Sequence, residues 1–375
     1  MIDRAAQRLF QSIESAGESA YFGGGCVRNA IMGVPVSDID IATDATPDQV
    51  QEICDQSGFR SVPTGIEHGT VTVVVDGQSF EVTTFRKDVA TDGRRAVVAF
   101  STDMGEDARR RDFTMNALYA DRRGAVFDPV FGLEDARARR VRFIDDASER
   151  IREDYLRTLR FFRFNAQYAT SDMAWDSEAL AGIAANLDGL SMLSAERVGA
   201  EMLKLLAAPD PTPAVSIMQQ AGVLRMLLPG ADPVFLGPFV HLQAECDAQI
   251  DALARLAALG GTDVADRLRL SKRNRRHLDS IRELSTSAHT PKALGYLGGS
   301  AAGCGAFLLR AAYANTPPDC ADLQLIEQGA TQVFPISAND LPQLSGQDLG
   351  QELARLKQVW LAADLAPSKE ELLTP

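Results

Sequence analysis

The sequence predicts an α+β chain, in which a small mixed α/β head is followed by a long, all-helical remainder. Three observations predict it. Runs in which apolar and polar residues alternate, the period of a half-buried strand, are confined to roughly the first 144 residues, in "DIDIAT" and "GTVTVVVDGQSFEVTTF". Beyond about Arg150 that signal disappears, and Leu, Ala, Met and Arg recur at helical spacing between breaks at "PDPTP", "PGADP", "LGG" and "NTPPD". A length of 375 residues with 45% hydrophobic content is enough for a substantial core and for more than one domain.

Within the head, Leu9, Phe10 and Ile13 form one face of an amphipathic first helix that leads into "YFGGGCVRNAIMG". Val36 to Thr43, "VSDIDIAT", reads as a strand, with Asp38 and Asp40 on one face and no Lys or Arg between them. "TPDQVQEIC" begins a helix with Thr46 as N-cap and Pro47 at the first helical position. Two β runs follow, joined by Asp76-Gly77, a strong hairpin signal. In the helical part, "EDYLRTLRFFRF" puts Asp154, Arg157, Arg160 and Arg163 at successive intervals of three, a drifting charged stripe with Asp154–Arg157 as an i, i+3 pair. Ser194 reads as the N-cap of the helix in "LSAERVGAEMLKLL".

The formal net charge of −13 argues against a general nucleic-acid binder with a broad basic surface, though not against local patches. Arginines crowd into "ARRRDF", "ARARRVR", "RTLRFFR" and "RLSKRNRR", each of which is also consistent with a solvated helix face. The sequence contains no apolar run long enough to span a membrane and opens without the apolar core of a secretory signal. Five scattered cysteines fit a reduced, cytoplasmic protein better than a disulfide framework, and four dispersed histidines do not suggest zinc.

Two motifs stand close together. Gly23-Gly24-Gly25 before a helix start offers backbone N–H groups to a phosphate, and Arg28 falls in the first turn to add a charge-assisted contact. Alone, such a run is an ordinary tight turn. Asp38 and Asp40 alone are a solvated pair; followed so closely upon a phosphate cradle, they offer the hard oxygen ligands that Mg²⁺ requires. Glu81, on the second hairpin strand, either adds a third carboxylate or pairs with Arg86.

"GGGCVRNAIMGVPVSDIDIATDATPDQV", "EHGTVTVV", "EVTTFRKDVATDGRR", "ARRRDFTMNALYAD", "DPVFGLEDARARRVRFI", "ERIREDYLRTLRFFRF" and "LSAERVGAEMLKLL" occur in this order over about the first 230 residues. This ordered set resembles the class II nucleotidyltransferases that add CCA to tRNA 3′ ends, together with the related bacterial poly(A) polymerases. The resemblance implies a polymerase β-like nucleotidyltransferase head over 1–144, a helical neck with the nucleotide-selecting motif over 145–208, and a helical body and tail that bind tRNA over 209–375. It implies triphosphate contacts from Gly24, Gly25 and Arg28, metal ligation by the catalytic Asp38 and Asp40, and a nucleotide contact from Arg111 with Asp112 sensing the ribose. Asp154 and Arg157 match the family's amino-acid template for CTP or ATP, and Arg160 and Arg163 its phosphate contacts. Glu196 and Glu201 match residues that brace that template through arginines, although the local pattern is equally consistent with a plain amphipathic helix, and "RKDVATDGRR" resembles the flexible loop needed to switch from C to A. One departure is Asn29, where the family usually has Asp, which puts a structural ion pair in doubt.

The implied activity is template-independent CCA addition with CTP and ATP, releasing pyrophosphate, with Mg²⁺ as cofactor and tRNA as partner. A poly(A) polymerase or an enzyme adding only the last A is the enzymatic alternative, and a non-catalytic RNA-binding protein on the same scaffold the alternative of another class. Lys272, Arg273, Arg275 and Arg276 form the best local basic patch for RNA phosphates, or else an exposed helix without a ligand.

Overall fold

The computed structural model describes residues 3–92, 95–170 and 174–374. They fall into two compact units, 1–193 and 194–375.

In the first unit, helices α1 (Arg4–Ser15), α2 (Gly25–Met32) and α3 (Pro47–Ser57) are interleaved with strands β1 (Ala20–Gly23), β2 (Asp40–Thr43), β3 (Arg60–Gly65), β4 (Thr70–Val75) and β5 (Gln78–Thr84). A ribbon of β6 (Arg86–Asp92) and β7 (Arg95–Phe100) precedes α4 (Met104–Arg109), β8 (Tyr119–Ala120), β9 (Val126–Phe127), α5 (Leu133–Arg137), α6 (Ala147–Glu153), α7 (Leu156–Tyr168) and α8 (Ser177–Ala185). The main sheet has seven strands in the order β3-β4-β5-β2-β1-β8-β9. Among the described residues only the β2–β5 pair is parallel, and it sets Asp40 beside Glu81.

The local signals explain these elements. Thr46 caps α3 in a capping box with Gln49, and Pro47 takes the first helical position. Asp76 (φ 51°) and Gly77 (φ 82°) turn the β4–β5 hairpin, both with the positive φ of a type I′ turn. Alternation along β4 buries Val71, Val73 and Val75 against Leu9, Phe10 and Ile13 of α1 and Val50 and Ile53 of α3. A separate aromatic stack ties α7 to the "RRDF" segment: Phe113 lies 4.9 Å from Phe143 and 5.3 Å from Phe164, centroid to centroid.

Two expectations are corrected. The strand expected from Val36 begins only at Asp40, so Asp38 lies in the exposed lead-in and does not share a strand face with Asp40. The charged stripe does not start at Asp154, which sits between α6 and α7 with an extended backbone (φ −153°); the sequence spacing runs on through a break in the helix. Asp154 Oδ1 accepts from Leu156 N at 3.1 Å. The segment "RKDVATDGRR", which resembles the family's flexible loop, forms most of the β6–β7 ribbon, with Gly93 and Arg94 outside the described residues.

The second unit is built from helices joined by loops: α9 (Ala195–Leu206), α10 (Thr212–Gln220), α11 (Val223–Leu227), α12 (Leu236–Glu245), α13 (Ala252–Leu259), α14 (Val264–Arg267), α15 (Lys272–Ser285), α16 (Pro291–Ala314), α17 (Asp322–Ala330), α18 (Gly346–Ala362) and α19 (Lys369–Leu373). Trp360 of α18 packs edge-on against Tyr296 of α16 at 5.0 Å. Ser194 does occupy the N-cap of α9, but its side chain makes no capping bond. The expectation of uniformly reduced cysteines is also corrected, because Cys246, at the end of α12, is bonded to Cys320, just before α17. Among the described residues no helix is long and apolar enough to cross a membrane.

Candidate active site

The glycine turn is built by Gly24, the N-cap of α2, at φ 69° and ψ −121°. Its N–H donates to Leu118 O at 2.9 Å, which ties the turn to the lead-in of β8. Arg28 follows at the end of the first helical turn, and it is only 6% exposed. Its Nη2 donates to Asn29 Oδ1 at 2.8 Å and to Tyr168 OH at 2.7 Å, and Nε donates to Asn29 Oδ1 at 3.1 Å. Nη1 donates to Asn116 Oδ1. All of these partners are neutral. The guanidinium also lies over the rings of Tyr168 (4.3 Å) and Phe164 (5.1 Å). Burial lowers its pKa, and the nearby Arg163 and Arg160 push the same way, against Tyr168 and Asp112.

Arg28, Arg160 and Arg163 are thus brought together around one ring. Arg160 stands 5.3 Å and Arg163 4.3 Å from the Phe164 centroid. Asp112 is buried and accepts from Arg160 Nε at 2.7 Å, from Asn116 Nδ2 at 2.9 Å and from Phe113 N at 2.9 Å. Burial alone would raise the Asp112 carboxyl, but Arg160 and these donors hold it below its ordinary value.

On the other side of the turn, Asp38, Asp40 and Glu81 line one cleft with Ser37, Ile39 and Ser79. Partial desolvation, then Glu81 and Asp38, raise the Asp40 carboxyl, and Arg111 opposes them. Among the described residues no group of three or more His, Cys, Asp or Glu is arranged as a ligand set for a metal. Two carboxylates completed by substrate phosphates, rather than a closed protein cage, is how Mg²⁺ is usually held, and the donor chemistry here fits that arrangement.

Arg111 lies against the turn, where its Nη1 donates to Asn116 O at 3.2 Å and its Nη2 to Asp107 at 3.1 Å. Arg157 donates to Arg150 O at 2.8 Å and to Arg110 O at 3.2 Å, and pairs with Glu153. Glu153, four residues before it, is therefore a carboxylate partner that the sequence spacing had assigned to Asp154. In the second unit, Lys272, Arg273 and Arg276 are exposed on α15, but Arg275 is paired with Asp266. Glu196 lies 3.6 Å from Arg269.

Sequence reasoning missed Asp107, Asn116, Tyr119 and Tyr168. Asp107 and Asn116 stand four residues before Arg111 and four after Asp112, a helical-turn spacing that was visible. Nothing local links Tyr168 to Arg28, 140 residues away.

Residues 20–142 match the family model described as "Poly A polymerase head domain", and residues 172–235 match "Probable RNA and SrmB- binding site of polymerase A". The mitochondrial CCA tRNA nucleotidyltransferase 1 of Danio rerio is 30% identical over 387 residues, covering 94% of this chain and 85% of its own. The Homo sapiens counterpart is 45% identical over 184 residues and the Mus musculus one 41% over 201; the chain spans about half the length of these two, 42% and 46%. A crystal structure of the Bacillus stearothermophilus CCA-adding enzyme in complex with CTP is similar at a TM-score of 0.80 and 27% identity, over 98% of this chain and 95% of that one. With that likeness extending over both units, and with the zebrafish relative matched along most of its length, the chain belongs to the CCA tRNA nucleotidyltransferase family.

Proposed function

We propose that this chain adds C, C and A to the 3′ end of tRNA, using CTP and ATP and releasing pyrophosphate. The observation that carries this reading is Arg28, a buried guanidinium with only neutral hydrogen-bond partners, set at a helix N-terminus beside Arg160 and Arg163. A buried charge so placed is costly unless an anion joins it. A triphosphate laid on the Gly24–Gly25 turn supplies that anion, with the N-terminal N–H groups of α2 and the three arginines as its donors.

Asp38 and Asp40 would hold Mg²⁺ together with the phosphates, and Glu81 adds negative charge beside them. Bound there, the ion would polarise the α-phosphate and lower the pKa of the attacking 3′-hydroxyl. In the transfer the 3′-hydroxyl gives up its proton to solvent, its oxygen bonds to the α-phosphorus, and the bond from that phosphorus to the bridging oxygen of the β-phosphate breaks, releasing pyrophosphate. Arg28, Arg160 and Arg163 stabilise the charge that collects on the departing pyrophosphate. Asp154 as acceptor and Arg157 as donor present a fixed edge to the base, and Arg111 and Asp112 lie along the ribose and phosphates. Residues 1–144 then act as catalytic head, 145–208 as nucleotide-selecting neck and 209–375 as tRNA-binding body and tail, with Lys272, Arg273 and Arg276 on RNA phosphates.

A second reading, a poly(A) polymerase or an enzyme adding only the last A, is favoured by the name of the matching head model. One experiment separates them. Purified protein and Mg²⁺ are offered tRNAs ending before CCA, after C and after CC, with CTP, ATP or both, and the product ends are sequenced. Stepwise C, C and A supports the proposal. A alone, or a run of A, transfers the chain to the second reading, and no incorporation leaves RNA binding without catalysis.

A further inference from the structure

Asp107 takes no part in the chemistry above, yet it is one of the most enclosed carboxylates of the first unit, at 2% exposure. It stands on α4, four residues before Arg111. Arg111 Nε and Nη2 donate to its Oδ2 at 3.3 and 3.1 Å, and the hydroxyl of Tyr119 donates to the same oxygen at 2.6 Å. Tyr119 is itself fully buried, with its ring edge-on to Phe85 and 5.1 Å beneath the Arg111 guanidinium. The other oxygen, Oδ1, is 3.4 Å from the backbone N of Arg86, at the foot of the β6–β7 ribbon.

The arrangement has a direction. The Asp107 side chain is 3% exposed, whereas that of Arg111 is 26% exposed. One edge of the guanidinium is therefore fixed inward while the other faces the glycine turn. Of the five N–H groups of an arginine, Asp107 takes two and Asn116 O takes one, and the Nη1 that stands against Gly24 keeps a second N–H for a ligand. Burial alone would raise the Asp107 carboxyl; Arg111 and Tyr119 hold it below its ordinary value, so the pair is ionised at neutral pH.

We infer that Asp107, braced by Tyr119, is a positioning residue for the incoming nucleotide: it fixes Arg111 against the Gly24 turn so that its remaining donors meet the nucleoside triphosphate. This deepens the nucleotidyltransferase reading and rests on it. A guanidinium held in advance loses less freedom when the ligand arrives, so the effect falls on nucleotide binding.

The test compares the full-length protein with Asp107→Asn, Tyr119→Phe, Arg111→Ala and the doubles Asp107→Asn/Arg111→Ala and Tyr119→Phe/Arg111→Ala. Two quantities are measured: CTP and ATP affinity by equilibrium titration, and kcat and KM for CTP incorporation into tRNA lacking CCA. Asp107→Asn is expected to weaken CTP binding and raise KM about 10- to 100-fold, the range for losing a hydrogen bond to a charged group, with a smaller change in kcat. Tyr119→Phe moves the same quantities in the same direction by less. On the Arg111→Ala background either change adds nothing further, because its effect passes through Arg111. Wild-type affinity in Asp107→Asn, or losses that multiply in the doubles, would overturn the inference. Should Asp107→Asn fail to fold, the Tyr119→Phe cycle decides alone. A wild-type protein that incorporates no nucleotide defeats the catalytic reading instead, and the CTP titrations still decide the role of Asp107.

Discussion

Replacing Gly24 by Ala probes the turn on which the nucleotide is proposed to lie. Its backbone, φ 69° and ψ −121°, belongs to a region open to glycine and strained for any residue with a β-carbon. Holding a residue there costs about 1–3 kcal/mol. A β-carbon at this position would also stand 2.6 Å from Arg111 Nη1 and 3.5 Å from Asn116 O. A guanidinium tip usually swings aside at little cost, but this one is pinned by Asp107, so relief of the clash breaks that pair. At roughly 2–4 °C per kcal/mol for a unit of this size, the melting temperature falls by about 2–12 °C. Gly25 is the internal control. It opens α2 without a positive φ, and its β-carbon would come no closer than 3.6 Å to Arg28 Nη2, an ordinary contact. Gly25→Ala should therefore melt with the parent, whereas Gly24→Ala melts early and shows a raised KM for CTP. Thermal unfolding by circular dichroism and CTP incorporation read both effects. Equal melting of the two variants, or an unchanged KM in Gly24→Ala, would refute the reasoning.

Asp40→Asn should abolish nucleotide addition yet raise the melting temperature of the nucleotide-free protein at neutral pH. Desolvation, Glu81 and Asp38 hold the folded carboxyl above its ordinary 3.8, so stability is lost as pH rises through that raised value, and the gain from Asn should vanish below about pH 4, as thermal scans across pH will show. Asn29→Asp gives Arg28 a charged partner in a geometry already present, so it should stabilise the fold while raising KM for CTP and ATP; a KM unchanged alongside a higher melting temperature would mean that Arg28 does not serve the triphosphate. Asp154→Ala should cut discrimination against UTP about 10- to 100-fold in kcat/KM, whereas Arg163→Ala slows all four nucleotides alike; indistinguishable preferences would remove Asp154 from base selection. Neutralising Lys272, Arg273 and Arg276 together should reduce the slope of log affinity for tRNA against log salt by up to about 2–3, from 0.7–0.9 per phosphate contact. Arg275 is left in place because Asp266 already engages it, and an unchanged slope would move the RNA site elsewhere.

Signals carried by neighbouring residues were legible in the sequence: the capping box of α3, the type I′ turn at Asp76-Gly77 and the apolar face of α1 all depend on residues within a few positions. Signals that require a distant partner were not. The i, i+3 spacing from Asp154 to Arg163 is regular, and nothing in it reveals the extended backbone at Asp154 that separates α6 from α7. Cys246 and Cys320, 74 positions apart, show no pairing in sequence, and neither strand of the two-residue β8–β9 pair is long enough to leave an alternating pattern. The arginines teach the same lesson about charge. Runs such as "RTLRFFR" look like solvated helix faces, because sequence shows only their neighbours on the helix. Phe113 and Phe143, brought from elsewhere, pack against Phe161 and Phe164 and bury that helix, so that Arg163 is enclosed and Arg160 is turned onto Asp112. Asn29 makes the difference matter. An Asp there would close the account of Arg28 within the protein, whereas the neutral amide keeps the same two hydrogen bonds and leaves the positive charge to be met by a ligand.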